Sequence, residues 1–337
     1  MSRLSFGLWY SLRNPKQWHR PYPEIYEETL EQIAWAETIG YDDVWLTEHH
    51  FCEDGHAPSI LPLAAAVAAR TKKIRIGTSV LLLPLHDAVR VAEDGATIDI
   101  LSNGRFELGV GIGYRPEEFD GLGIDRSKRN KRTEEGLEII RRLWEGETVD
   151  FDGEAYQIKG AKLAPMPVQQ PRPPIWVGGF APISAKRAAR LGDGYIGTGD
   201  MTPFVPIYQD EMTKLGKGGQ GKLAGGHFWL IVSNEPDKTF EVVAPHIIYQ
   251  LEMYNVWLEA AGQEPFPTVT NKEQLKASGM ISVVTPSQAI DEIGAYVEAT
   301  GIERYYTWTM PPGMPAAAMN PHLELFATDV MPAFRGS

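Results

Sequence analysis

The sequence predicts a single (β/α)8 barrel. Short apolar runs alternate with segments of helical spacing, joined by short connections, and eight of those runs read as strands. No internal repeat or low-complexity linker divides the chain, and its 337 residues, 43% of them hydrophobic, suffice for one large α/β core. The domain is therefore expected to span residues 1–337.

Leu4–Tyr10 reads as the first strand, with Trp9 and Tyr10 at its carboxyl end. Tyr22–Ile39 has helical apolar spacing and stops at Gly40, a natural C-cap. Val44–Leu46 forms the second strand and breaks into Thr47-Glu48-His49-His50-Phe51. Ile60–Ala69 is an alanine-rich helix, Lys73–Leu81 the third strand, and Val89–Leu101 a helix closed by Asn103-Gly104. Arg105–Gly111 is the fourth strand. Thr133–Trp144 is an amphipathic helix, and Thr148–Ile158 reads as a hairpin around Asp152-Gly153, an insertion after strand four. Pro174–Gly179 and Gly194–Gly197 are the fifth and sixth strands, with helix Ser184–Leu191 between them. His227–Ser233 reads as the seventh strand and Arg304–Thr309 as the eighth. Between these two lies a long insertion, Glu235–Glu303, with an aromatic-rich helix at Ile247–Trp257 and a Gly/Pro-containing run at Gly262–Gly279. Such insertions serve as lids or oligomer contacts.

The net charge of −12 argues against nucleic acid or an anionic membrane surface as partner. The one cysteine, Cys52, excludes an intrachain disulfide framework and suits a reducing compartment. The opening Met1-Ser2-Arg3-Leu4-Ser5 lacks the apolar segment of a signal peptide, and no run reaches the ~20 residues that span a bilayer. A cytoplasmic protein is the expectation.

Ligands of α/β proteins sit at strand carboxyl ends, so Glu48-His49-His50 is placed for chemistry. Adjacent residues of a strand face opposite ways, so only one histidine can aim into a barrel mouth. The residues equally suit a buried hydrogen-bonded cluster that closes the strand. Gly109-Val110-Gly111-Ile112-Gly113-Tyr114 is not a dinucleotide fingerprint, because Tyr114 stands where the third glycine belongs. It remains a glycine-rich strand end where backbone N–H groups can approach an anion, or where glycines relieve crowding. Gly178-Gly179-Phe180-Ala181-Pro182-Ile183-Ser184 joins a strand to a helix start, which suits a phosphate, or simply an N-capping serine. No metal-ligand spacing is present: His56, His86, His227, His246 and His322 are scattered along the chain. Cys52 has no activating geometry beyond the histidine pair, and Arg75 with Glu107 reads as a polar layer inside the barrel.

Several of these segments, taken in order, resemble the bacterial luciferase-like flavin monooxygenases. They are Trp45-Leu46-Thr47-Glu48-His49-His50-Phe51, Ile76-Gly77-Thr78-Ser79-Val80, Val89-Arg90-Val91-Ala92-Glu93-Asp94 and Ser102-Asn103-Gly104-Arg105-Phe106-Glu107-Leu108-Gly109-Val110-Gly111. Pro174–Gly179 and His322-Leu323-Glu324-Leu325-Phe326-Ala327 extend the match. The resemblance implies reduced FMN at the strand carboxyl ends, supplied by a separate flavin reductase, and a homodimer. It implies a peroxyflavin, formed with O2, that oxygenates a small, apolar organic substrate. His49 and His50 are the candidate catalytic residues, His49 in the acid–base role with His50 and Glu48 orienting it. Thr78, Ser79 and Val80 match the segment behind the isoalloxazine ring, where a non-prolyl cis peptide is a family feature. Gly111, Gly113 and Tyr114, with Gly178, Gly179 and Ser184, match the phosphate cradle. Ile112 stands where some relatives carry an arginine, which leaves backbone N–H groups, Ser184 and Arg115 to balance the phosphate. Leu85-His86-Asp87-Ala88-Val89-Arg90 lacks a proline often found before the Val-Arg pair. Trp9, Tyr10, Phe51 and Trp308 are the candidate substrate residues. A deazaflavin-dependent hydride transfer on the same barrel is the alternative; a non-catalytic flavin-binding subunit is a further one, against which the Glu48-His49-His50 run speaks.

Overall fold

The structure is a computed structural model that describes residues 3–335, so Met1 and Ser2 of the opening lie outside it. Eight strands form the barrel: β1 (Ser5–Tyr10), β2 (Asp43–Leu46), β3 (Arg75–Thr78), β4 (Phe106–Gly111), β5 (Ile175–Gly178), β6 (Gly194–Ile196), β7 (Lys222–Gly225) and β8 (Arg304–Trp308). Each pairs in parallel with the next. β8 closes on β1, from Arg304 opposite Ser5 to Trp308 opposite Trp9. The (β/α)8 barrel anticipated from the alternation is the fold.

Helix boundaries follow local chemistry. Tyr22–Ile39 stops at Gly40, whose φ of +102° is open to glycine. Ala88–Ser102 starts at Asp87, which accepts the Arg90 N–H, and ends at Asn103 in the left-handed region. Thr148–Asp152 pairs antiparallel with Gln157–Lys162, as the hairpin reading anticipated.

The seventh strand differs from expectation. It is Lys222–Gly225, whereas Trp229–Val232 pairs in parallel with Ile281–Val284 in a separate two-stranded sheet. The reason is space. A Cβ at Gly226 would lie 1.9 Å from the Tyr306 carbonyl oxygen, so the chain passes β8 on a glycine and then leaves the barrel. The more apolar run that follows builds on the outside, where the Leu230 N–H donates to Thr307 Oγ1. The insertion accordingly carries a strand of its own, Ile281–Val284, and its main helix runs Pro236–Ala260, longer than foreseen. The run 262–279 is also more ordered than its Gly/Pro content suggested: it contains helix Lys272–Ala277, capped by Asn271, and buries Val269 and Leu275.

Inside the barrel, tryptophans and glycines alternate across strands. A Cβ on Gly77 would sit 2.3 Å from the Trp45 ring, and one on Gly194 would sit 2.3 Å from Trp176. The two indoles meet edge to face with centroids 6.0 Å apart. Overpacking such a site costs roughly 1–3 kcal/mol. Beneath them lies a charged tier: Glu107 accepts from Arg75, from Arg304 at 2.8 Å and from Trp176 Nε1 at 2.6 Å. Asp43 accepts from Trp45 Nε1, and its burial pushes the carboxyl up to about 6 against the opposing pull of Arg304. This tier is the polar layer expected of Arg75 and Glu107. It closes the amino end of the barrel and leaves the carboxyl end for a ligand. Among the described residues no helix is long and apolar enough to cross a membrane.

Candidate active site

The run after β2 departs from the strand so that His49 and His50 diverge. His49, 7% exposed, turns toward the barrel mouth, where its ring lies 5.0 Å from Trp257, 4.9 Å from His56 and 5.7 Å from Tyr114. Its Nδ1 lies 2.8 Å from Oε1 of Glu118, on the short helix Pro116–Gly121 that follows β4. Burial alone would raise the Glu118 carboxyl, but the bond to His49, the His50 N–H at 2.9 Å and Arg115 hold it below the ordinary carboxylate range. An ionised Glu118 accepts from Nδ1–H, which leaves Nε2 of His49 as the atom able to take or give a proton.

Glu48 and His50 do not orient His49, contrary to expectation, because both point to the other side of the chain. Glu48 Oε2 accepts the Leu82 N–H, while Oε1 faces His50 Nε2 at 2.9 Å and His86 Nε2 at 2.7 Å. Burial opposes the charge on Glu48, yet His86 and the two imidazole hydrogen bonds outweigh it and draw the carboxyl down to about 2. His86 is correspondingly raised, its burial overcome by Glu48. These three donor atoms lie within 4.8 Å of one another, a grouping that sequence spacing concealed. Hydrogen bonds between them account for it, and it supplies the closed polar cluster that was one of the two readings of Glu48-His49-His50.

The candidate cofactor residues divide into two groups. The Thr78 hydroxyl donates to the Gly109 carbonyl and accepts its N–H, tying β3 to β4. Ser79 Oγ lies 3.3 Å from the Tyr306 hydroxyl, and the Ser79–Val80 peptide is cis, the feature the resemblance implied. Val80 then forms a shelf between two glycines: a Cβ on Gly111 or Gly178 would come within 2.5 or 2.9 Å of its methyl groups. At the fifth strand, Gly179 takes φ +138° and its missing Cβ leaves room beside Ser184 Oγ. Helix Pro182–Leu191 begins there without a side-chain cap; Pro182 carries no N–H and the Ser184 N–H donates to the Ala181 carbonyl at 2.9 Å, which leaves the Ile183 N–H and the Ser184 hydroxyl to face the turn. A flavin ring on the Val80 shelf with its phosphate at this turn fits these residues. Gly113 has φ +69° in the turn after β4, and Tyr114 lies beside His49, its hydroxyl raised by burial. Arg115 does not serve the phosphate turn: it donates to the His50 carbonyl at 2.7 Å and stacks 4.4 Å from Trp257.

Of the substrate candidates, Trp9 and Trp308 stack with centroids 3.7 Å apart at the mouth. Tyr10 points the opposite way, into the helical layer, where its hydroxyl donates to Gln32 at 2.7 Å. That is the strand alternation applied to its neighbour Trp9. Phe51 is 57% exposed and covers Gly121 from outside. Cys52 lies 3.1 Å from Arg115, yet burial pushes its thiol up to about 11. Glu118, His56, Arg13 and Trp257 at the mouth were not singled out by sequence, because their partners come from distant segments with no fixed spacing.

The model of the luciferase-like monooxygenase family matches residues 5–303. The oxygenase component of a flavin-dependent trigonelline monooxygenase from Acinetobacter baylyi is 26% identical, over 93% of this chain and 91% of that one. An F420-dependent glucose-6-phosphate dehydrogenase from Amycolatopsis mediterranei is 36% identical, over 55% of this chain and 56% of that one. In fold, the crystal structure of monooxygenase RslO1 from Streptomyces bottropensis superposes with a TM-score of 0.85 at 24% identity, covering 98% of this chain and 99% of that one. The chain is an oxidoreductase that belongs to the luciferase-like monooxygenase family.

Proposed function

We propose that the protein is a monooxygenase that takes reduced FMN from a separate reductase and uses O2 to oxygenate a small organic molecule at the barrel mouth. The observation that carries this reading is the His49–Glu118 pair, buried at the mouth end of a barrel whose floor is closed by the Glu107 tier beneath the tryptophans. Bound reduced flavin would supply the electrons that activate O2. The chain's part is to hold that chemistry away from water with Trp9, Trp257 and Trp308, and to move a proton at His49 Nε2. Supply from outside agrees with the failed fingerprint at Tyr114 and with the relative that is an oxygenase component. A homodimer belongs to this reading and is checked by sedimentation.

A second reading, hydride transfer with a deazaflavin, is favoured by the F420-dependent relatives. Titration separates the two. Tryptophan quenching by reduced FMN at low micromolar concentration, with no response to F420, is the expected result. Tight F420 binding with none of FMN would replace the first reading by the second.

A further inference from the structure

Arg13 has no role in the reading above. It follows the carboxyl end of β1 and is 1% exposed. Its Nε donates to Asp54 Oδ2 at 2.6 Å, but Nη1 and Nη2 have no hydrogen-bond partner. Asp54 cannot turn to meet them, because the Tyr249 hydroxyl donates to the same oxygen at 3.0 Å and the His56 N–H reaches the other at 3.3 Å. The faces of the guanidinium are covered: Cζ lies 4.8 Å from the Trp257 ring and 5.4 Å from Tyr254. A π face attracts the charge but does not accept the in-plane N–H groups. What stays open is the Nη1/Nη2 fork, the edge that matches a planar carboxylate through two parallel hydrogen bonds.

Three further buried side chains near Arg13 also leave an atom unpartnered, although such atoms occur elsewhere among the described residues too, at Arg187, Tyr208 and Arg335 for example. Arg115 Nε, also over Trp257, lacks a partner, as do Glu118 Oε2 and His56 Nδ1 beside His49. Buried polar atoms left open in a folded protein point to a missing ligand or water. A carbonyl or water oxygen can also accept from the fork, but a carboxylate meets the two arms with separate oxygens and brings the opposite charge.

We infer that Arg13 anchors the substrate, and that the substrate is a small organic carboxylate. Its body would lie along Trp257, the ring that Arg13 and His49 both touch, so that the far end reaches His49. Naming this ligand as the substrate rests on the proposed monooxygenase reading; the anion subsite itself does not.

The test is equilibrium binding to the full chain, without flavin and with it, read by tryptophan fluorescence and calorimetry. Benzoate is the probe, with benzamide and inorganic phosphate as comparison ligands. Benzoate should bind at least about tenfold more tightly than benzamide. Arg13→Gln should remove that preference while leaving benzamide affinity unchanged. Should Arg13→Gln fail to fold around the stranded Asp54, the pair Arg13→Gln with Asp54→Asn removes both charges and should show the same loss. No benzoate binding, equal affinity for benzoate and benzamide, stronger binding of inorganic phosphate, or equal losses for both probes would overturn the assignment. Flavin titrated in parallel separates the two proposals. Flavin binding without benzoate binding overturns the subsite alone; benzoate binding without flavin binding supports the subsite and overturns the monooxygenase reading.

Discussion

The floor and the mouth of the barrel both bury charge, and they treat it differently. At the floor, Glu107 is shared by Arg75, Arg304 and Trp176, and none of these side chains leaves a buried polar atom unpartnered. At the mouth, Arg13, Arg115, Glu118 and His56 each leave at least one. A buried charge network that satisfies itself needs no further partner, whereas one that stays incomplete calls for a water, an ion or a ligand. The proposed function rests on this contrast, with stability at one end of the barrel and chemistry at the other.

The largest effect expected is on the floor. Glu107→Ala would leave two arginines and an indole N–H without their acceptor. It should cost about 3–5 kcal/mol in chemical denaturation. If it cost less than about 1 kcal/mol, the floor would not be the structural end. At the mouth, His49→Ala should keep the melting temperature near that of the wild type and lower turnover by roughly 10²-fold or more, a typical acid–base contribution. A turnover loss matched by lost stability would erase the distinction between the ends.

The Glu48 cluster sits between the two cases, complete but near the mouth. The Glu48 carboxyl falls from 4.5 to about 2 in the folded chain, so its contribution is present above 4.5 and lost as pH falls toward 2. His86 is raised from 6.5, so its contribution is present below 6.5 and lost as pH rises through its folded value. The stability difference between wild type and Glu48→Gln should therefore be largest between these limits, at most ~3 kcal/mol, and shrink on both sides. A difference flat across pH would show that packing alone holds the cluster. The smallest effect belongs to Tyr10→Phe, which removes one hydrogen bond in the helical layer. It should cost about 1 kcal/mol of stability and leave turnover within twofold. A large turnover loss there would return Tyr10 to the mouth.

Much of the barrel was legible because its period is local. Alternation put Trp9 inward, and the same rule, applied one residue further, excludes Tyr10. Gly40 and Asn103 marked helix ends through their own backbone preferences, whereas the Asp87 cap was found only in the structure. The seventh strand was misplaced because Trp229–Val232 carries the stronger apolar signal, while Lys222–Gly225 is short and small to fit beside β8. The site was legible only at its anchors. His49 stood at a strand end, but its partner Glu118 lies 69 residues away and follows a glycine turn that sets no spacing. His56 and His86, scattered in sequence, meet the two sides of the run after β2: His56 faces His49, and His86 bonds Glu48. Arg13 gave no signal at all, since an arginine after a strand is ordinary until its two nitrogens are found buried.

The most direct test of this account is the protonation of His49. Nitrogen-15 imidazole NMR, assigned with a His49→Gln variant, should show the neutral ring as the Nδ1–H tautomer with a bare Nε2, with Glu118→Gln disturbing that pattern and Glu48→Gln leaving it intact. A proton on Nε2, or a His49 signal that follows Glu48 rather than Glu118, would contradict the claim that Glu118 holds His49 ready for proton transfer at the barrel mouth.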